Sequence, residues 1–517
     1  MISSETPHAP QQPSGDWRAW TGFTAMSVGM FLAILDIQIV ASSLIDIQFA
    51  LSIPQDRLSY IQTTYLIAEV IAIALTGFLT RVMSTRWLFT GAMIGFVLAS
   101  IACAASGTYI TLYIFRFIQG LFGGAVIPII FSAAFLMFPK RQQPLATVIG
   151  GGVAMLAPTV GPFIGGWITE TLSWHWLFLV NVVPGIAVAA IAGGLVQIDK
   201  PAWSYAKKLD GLSLALVVVF LAALELTLKE SPGLGWASGW TASLAALCFI
   251  SGWLAVRRCV SRAEPLIDLS VFRDRTFAVG AWFSFVLGMA LFGAIYLLPL
   301  FLGIVRGHGP LAIGTVMIVT GIAQLIIAPV ATFMEQRLPL RAMTAFGFVL
   351  LAAGLISNGF ATYDWDFDEL LMPQILRGAA FMICLLPITR LALGQLPPDT
   401  VANGSALFNL MRNIGGAVGL ALIDTIIEVR APHHAERIIA ALQAGSRETA
   451  EFVGLPLERF NGMPIGVIDE TTRAFVEPLV ERAATVASFN DAWLIMGALV
   501  LVSLFVLPMM KRTNAEK

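Results

Sequence analysis

Runs of about twenty apolar residues, the length a helix needs to cross roughly 30 Å of hydrocarbon, recur from one end of this chain to the other. They fall near 19–45, 58–80, 86–107, 109–138, 144–171, 175–197, 210–228, 238–256, 276–303, 310–334, 341–361, 370–393, 404–428 and 489–509. In lipid, every backbone N–H and C=O must be satisfied inside its own segment, so these runs predict an all-α polytopic membrane protein with about fourteen transmembrane helices. Only 12% of the 517 residues are charged, against about 25% in soluble chains. The net charge of −1 points to neither nucleic acid nor an acidic partner.

The N-terminal residues are polar and rich in Pro and Gln, without a basic leader or a cleavage site. They predict a disordered cytoplasmic tail over 1–18 and an uncleaved first helix. Basic residues then orient the chain. With the N-terminus inside, inner loops hold Arg81, Arg86, Lys140, Arg141, Lys200, Lys207, Lys208, the cluster Arg257 to Arg275, Arg337, Arg341 and Arg390. Outer loops hold only Arg57, Lys229 and Arg306. Both termini are therefore expected in the cytoplasm, with the tail at 510–517 and the long hydrophilic segment 429–488 on the far side.

That segment predicts a short amphipathic helix around Ile438, Ala441 and Leu442, ended by Gly445. A second periodic stretch follows at Phe475, Leu479, Ala483 and Val486. His433 and His434 lack a third ligand, and adjacent residues on a helix face apart, so a solvated loop rather than a metal site is expected there. Cys103, Cys248, Cys259 and Cys384 show no metal spacing and read as idle thiols. No cofactor and no enzymatic activity are expected.

Helices 1–6 (19–197) and 9–14 (276–509) read as two related six-helix bundles, with an inserted helix pair in 198–275. Arg116-Phe-Ile-Gln119-Gly120 followed by Pro128 in helix 4 is echoed by Gln374-Ile-Leu-Arg377-Gly378 followed by Pro387 in helix 12. Two such bundles around a central site can alternate access by rocking. Glu225 and Lys229, four apart in helix 7, read as an interfacial ion pair.

Charges at bilayer depth cost several kcal/mol to insert and mark function. Asp36 in helix 1, Glu69 in helix 2 and Arg116 in helix 4 are three of them. Gln62, Tyr65 and Glu69 share one helix face, as do Tyr113, Arg116 and Gln119. Gln38 sits beside Asp36. These polar faces should converge, since lipid cannot satisfy them. Burial favours the neutral acid and a nearby guanidinium favours the anion, so a carboxyl between the two can load and release a proton. Asp36 is the first candidate, and Glu69 is a second proton site or a cation contact. The structural alternative is an ion pair of Arg116 with either acid. Gln38, Gln62, Tyr65, Gln119, Arg377, Asn409 and Arg412 are the substrate and cavity candidates. In helix 5 the small residues and prolines from Gly150 to Gly166 predict a tight, kinked helix contact.

Motif by motif, the chain resembles the fourteen-helix drug:proton antiporter branch of the major facilitator superfamily, the EmrB/QacA type. Leu35-Asp36-Ile-Gln38-Ile39-Val40 is similar to that family's helix-1 motif, and Leu112 to Gly120 to its helix-4 motif with the buried arginine. Gly161-Pro162-Phe-Ile-Gly165-Gly166 resembles the helix-5 antiporter motif. Trp174-His-Trp176-Leu-Phe178-Leu-Val-Asn181-Val-Val-Pro184-Gly185 and Asn409-Leu-Met-Arg412-Asn-Ile-Gly415-Gly416 also fit. One loop departs. The superfamily's Gly-x-Leu-Ala-Asp-Arg pattern is here Gly77-Phe-Leu79-Thr80-Arg81, with arginine where the aspartate belongs, so the usual aspartate latch is not carried over.

The resemblance implies a multi-pass secondary transporter of the bacterial inner membrane. It would export hydrophobic or amphiphilic drug-like compounds against protons, with segment 429–488 as a contact for a periplasmic adaptor and outer-membrane channel. A dedicated exporter of one metabolite class, such as a fatty acid or siderophore, is the alternative. A membrane enzyme or sensor finds no nucleophile–base pair, metal cluster or phosphate-binding loop in the sequence.

Overall fold

The computed structural model describes residues 16–54, 57, 60–262, 265–444, 446–455 and 470–509. The expected tails and Gly445 fall outside them, apart from Asp16 to Arg18, which begin the first helix. Among the described residues seventeen α-helices follow one another. They are α1 (Trp17–Ser42), α2 (Leu44–Leu51), α3 (Tyr60–Met83), α4 (Thr85–Ala104), α5 (Tyr109–Met137), α6 (Gln143–Thr171), α7 (Trp176–Leu179), α8 (Val182–Leu195) and α9 (Gly211–Leu234). After them come α10 (Gly239–Ser261), α11 (Arg275–Ile304), α12 (Pro310–Arg337), α13 (Leu340–Asn358), α14 (Phe367–Leu393), α15 (Pro398–Gln443), α16 (Arg447–Val453) and α17 (Glu470–Ser503).

Local chemistry sets many of the starts. Asp16 accepts from the Ala19 N–H at the head of α1, Thr108 and Thr111 form a capping box for α5, and Asp366 and Glu369 form another for α14. Among the described residues twelve helices are long and apolar enough to cross a membrane, and thirteen with α6 counted as one span. That helix bends by 48° between Gln143–Pro158 and Phe163–Thr171, the kind of kink proline produces. The remaining expected run, 404–428, lies inside α15 but is not in that count; Asn409, Arg412, Asn413 and Asp424 dilute its apolar character.

In the first half, α1 packs along α6 and α8, and α5 lies against α3 and α4. In the second, α11 lies on α15 and α14, α14 also packs against α12 and α13, and α17 packs on α15 and α13. The halves meet where α6 crosses α12 and where α15 crosses α3 and α5. The inserted pair α9 and α10 pack on each other, touch α15 and α3 through α9, and leave most of their apolar surface outward. That surface suits lipid.

Three expectations are corrected at the hydrophilic segment. The chain does not leave the bundle as a loop with a separate short helix: α15 runs unbroken through Pro432 to Gln443, and α17 begins at Glu470, well before the apolar run at 489. Proline lacks one N–H, and packing along α17 holds the helix across that gap. Ile438 and Leu442 of α15, Ala450 and Val453 of α16, and Val480, Ala483 and Ala484 of α17 close into a small separate core. Phe475, expected on the buried line, is exposed. His434 and Arg430 both bind Asp491 of α17, at 2.8 and 2.7 Å, so His434 is part of this brace rather than solvated.

At the loop that departs from the superfamily pattern, Arg81 reaches the Tyr205 hydroxyl at 3.4 Å. The first turn of α4 is held instead by Asp199, which accepts from the Thr85 N–H at 2.9 Å.

Candidate functional site

The site grows from a close helix contact. A Cβ on Gly120 would lie 2.3 Å from the Tyr65 carbonyl oxygen, and one on Gly124 would lie 2.4 Å from that of Glu69. With no side chains there, α5 lies directly on the backbone of α3, so Arg116 and Gln119, one turn earlier, are carried into the interior beside α1.

Asp36 and Arg116 have no accessible surface. Arg116 Nη1 donates to Asp36 Oδ2 and, at 2.7 Å, to Gln119 Oε1; Nε donates to the Ile61 carbonyl at 3.3 Å. Asp36 Oδ1 accepts from Gln119 Nε2 at 2.9 Å and from Asn181 Nδ2 at 2.6 Å. Gln119 Nε2 also donates to Ser100 Oγ at 2.8 Å. The guanidinium carbon lies 4.3 Å from the Tyr65 ring centroid, a cation–π distance, and the Tyr65 hydroxyl donates to the Ala33 carbonyl at 3.0 Å. Asp36 thus holds one charged and two neutral donors, the surroundings of an ionised carboxylate. Arg116 Nη2 is buried with no partner among the described residues.

Glu69 is placed differently. It is 5% exposed, one turn along α3 from Tyr65, and its carboxyl has no hydrogen bond or ion pair among the described residues. Arg116 and Glu225 of α9 are within electrostatic reach of it. Lys229, beyond Glu225 on α9, donates to the Thr63 hydroxyl and lies 4.9 Å from the Tyr60 ring centroid, so the inserted helix closes one side of the site.

The structure therefore brings together Asp36, Arg116, Gln119, Tyr65 and Glu69. Gln62 is only partly buried on α3. Gln38 is partly buried too, and a Cβ on Gly161 would lie 2.4 Å from its Cβ, so the antiporter-like motif presses on α1 two residues past Asp36. Gly165 and Gly166 are buried in α6, and the Pro162 side chain lies outside what is described. Asn409 and Arg412 are elsewhere, at the seam between halves: Arg412 donates to Asn409 Oδ1 and stacks 4.8 Å from the Phe131 ring of α5. Arg377 sits in the second half, over Trp493 at 5.0 Å.

Asn181, Ser100 and Glu225 were not among the residues expected to form the site. Asn181 stands in the stretch after Trp174 that the resemblance marks, and Glu225 reads from the sequence as the partner of Lys229 rather than as a neighbour of Glu69. Ser100 gives no signal: one hydroxyl inside α4 looks like any other.

A polytopic helical protein with two packed halves and an enclosed acid–arginine cluster between its first helices is a membrane transporter. The chain belongs to the Major Facilitator Superfamily, whose sequence profile matches residues 26–420, and within it to the EmrB type. It is 37% identical over 503 residues to the colistin resistance protein EmrB of Acinetobacter baumannii, covering 96% of this chain and 98% of that one. It is 28% identical to the multidrug export protein EmrB of Escherichia coli K12, over 80% of this chain and 81% of the other. Its fold matches the human organic anion transporter MFSD10 with a TM-score of 0.60 at 13% identity, covering 95% and 99% of the two chains.

Proposed function

We propose that this transporter exports hydrophobic or amphiphilic compounds in exchange for protons, and that Glu69 carries the proton while Asp36 anchors Arg116. The observation that carries this reading is the contrast between two buried acids on neighbouring helices. Asp36 has three donors, which suit an anion; Glu69 has no hydrogen bond or ion pair among the described residues, and a buried carboxyl without a partner favours holding its proton. When Glu69 opens to the low-potential side and ionises, Arg116 is the compensating charge, and its Nη2, without a partner among the described residues, is the arm that turns toward it. Rocking of the two halves then exposes Glu69 to either side in turn. This revises the order of the two candidates, with Asp36 now the anchor.

The membrane is the bacterial inner membrane, with both termini cytoplasmic on the charge distribution of the loops. The extension built by α15, α16 and α17 stands on the opposite face and is the contact for a periplasmic adaptor and outer-membrane channel. Both EmrB relatives are named for resistance or multidrug export, which supports the substrate class. Reconstitution in liposomes with an imposed pH gradient tests the reading: Glu69→Gln should abolish gradient-driven dye uptake while dye binding persists. Uphill uptake by Glu69→Gln at the wild-type rate would remove the proposal.

A further inference from the structure

The second half also buries an arginine, with no acid paired to it among the described residues. Arg377, 5% exposed on α14, takes in the internal repeat the place of Gln119, and Gln374 takes that of Arg116. Gly378 follows it as Gly120 follows Gln119, and a Cβ there would lie 2.4 Å from the Thr320 carbonyl of α12. The helix α11 stands where α1 stands in the first half, yet it presents Leu287, Leu291, Ala294 and Ile295 rather than an aspartate. Between them is a cavity of about 40 Å³, room for a small polar group. Gln374 and Thr320 on its wall already satisfy each other at 2.9 Å, and Gln374 Nε2 binds the Val316 carbonyl at 2.8 Å. Two wall groups are left over. Arg377 makes no hydrogen bond or ion pair among the described residues, with Nε buried and unpartnered, and Gln324, 3% exposed, has Oε1 unpartnered.

A full positive charge this deep in an apolar bundle is costly unless an anion meets it. We propose that the cavity beside Arg377 receives the anionic head of an amphiphile, a carboxylate or its like, with the hydrocarbon tail along the apolar wall of α11. Gln324 Oε1 accepts from a hydroxyl on the same head where one is present. This deepens the exporter reading by naming a class of compound that the second half binds. A free amphiphile and an anionic lipid share that chemistry.

The test is equilibrium binding of radiolabelled dodecanoate to the purified full-length protein in maltoside micelles, with dodecanol as the neutral-headed control. Wild type should prefer dodecanoate, and Arg377→Gln should weaken dodecanoate by about tenfold or more while leaving dodecanol unchanged. Ala294→Asp is the second variant: it supplies the missing acid from α11, and should lose dodecanoate binding in a protein that melts no lower than wild type. Equal affinity of wild type for acid and alcohol overturns the proposal, as does unchanged dodecanoate binding in both variants. Phosphatidylglycerol as competitor names the source: displacement of dodecanoate assigns the site to a lipid head group and its absence to a free amphiphile, and either result supports an anionic occupant. The assay uses no gradient, so its failure leaves the exporter reading standing, and a failed Glu69→Gln transport test leaves this site untouched.

Discussion

Arg116 and Asp36 meet with no accessible surface on either side chain, yet only one guanidinium nitrogen of Arg116 serves the acid. The same Nη1 also reaches Gln119, Nε holds the Ile61 carbonyl, and Nη2 is unused among the described residues. Removing one member of such a pair strands the other, at a cost of about 3–5 kcal/mol. Arg116→Leu should therefore lower the melting temperature of the purified protein sharply. The double variant Asp36→Asn with Arg116→Gln should recover much of that loss without recovering transport. A double variant as unstable as the single contradicts the pairing.

The close approach of α5 to α3 is equally exposed to test. Gly120→Val places atoms where the Tyr65 carbonyl oxygen now lies 2.3 Å from an added Cβ, so one helix must move. Overpacking of this kind costs about 1–3 kcal/mol, and here it also displaces Arg116 from Asp36. Transport should fall further than thermal stability does. Gly91→Ala, with nothing within 4 Å of the added Cβ, should be silent in both assays.

The inserted pair α9 and α10 is pinned at one end by Asp210, which caps α9 and takes Arg258 through both oxygens, at 2.6 and 3.0 Å. Its hydrogen bonds with Arg258 and Ser213 hold the Asp210 carboxyl below the usual carboxylate range. A depressed acid stabilises the fold above its unfolded value of about 3.9, and that contribution disappears as pH falls through the lower folded value. Asp210→Asn should therefore be less stable than wild type at neutral pH, and the difference should close only in strong acid. A difference unchanged down to acid unfolding would contradict this.

The extension formed by α15, α16 and α17 has its own small core. Val480→Asp puts an unpaired charge into it, which should expose the segment to protease and weaken adaptor copurification. Gradient-driven transport by the protein alone in liposomes should continue, because the small core that holds Val480 contains none of the residues of the acid–arginine cluster. Full adaptor copurification with a protease-sensitive extension would separate the two roles and remove the docking reading.

Much of this was legible in the residues. Length and hydropathy mark the spans, and three charges in the first apolar runs mark the cluster, because lipid leaves them nowhere else to go. Spacing along a helix tells which residues share a face, but not which of two acids an arginine reaches. That depends on the depth at which α5 meets α3, and this is set by Gly120 and Gly124 against backbone atoms. Nor does hydropathy show α15 continuing through Pro432, since the helix is held there by Arg430 and His434 on Asp491, contacts some 60 positions apart in sequence. Asn181 was in view as part of a motif, but its hydrogen bond to Asp36 follows from the packing of α8 on α1.

The central claim is that Glu69 holds a proton while Asp36 does not, and infrared spectroscopy of the protein in bilayers at neutral pH reads this directly. A protonated carboxylic acid has a carbonyl stretch that an ionised carboxylate lacks. The account predicts that this band is present in wild type, persists in Asp36→Asn and is lost in Glu69→Gln. A band that survives Glu69→Gln and vanishes in Asp36→Asn would contradict it.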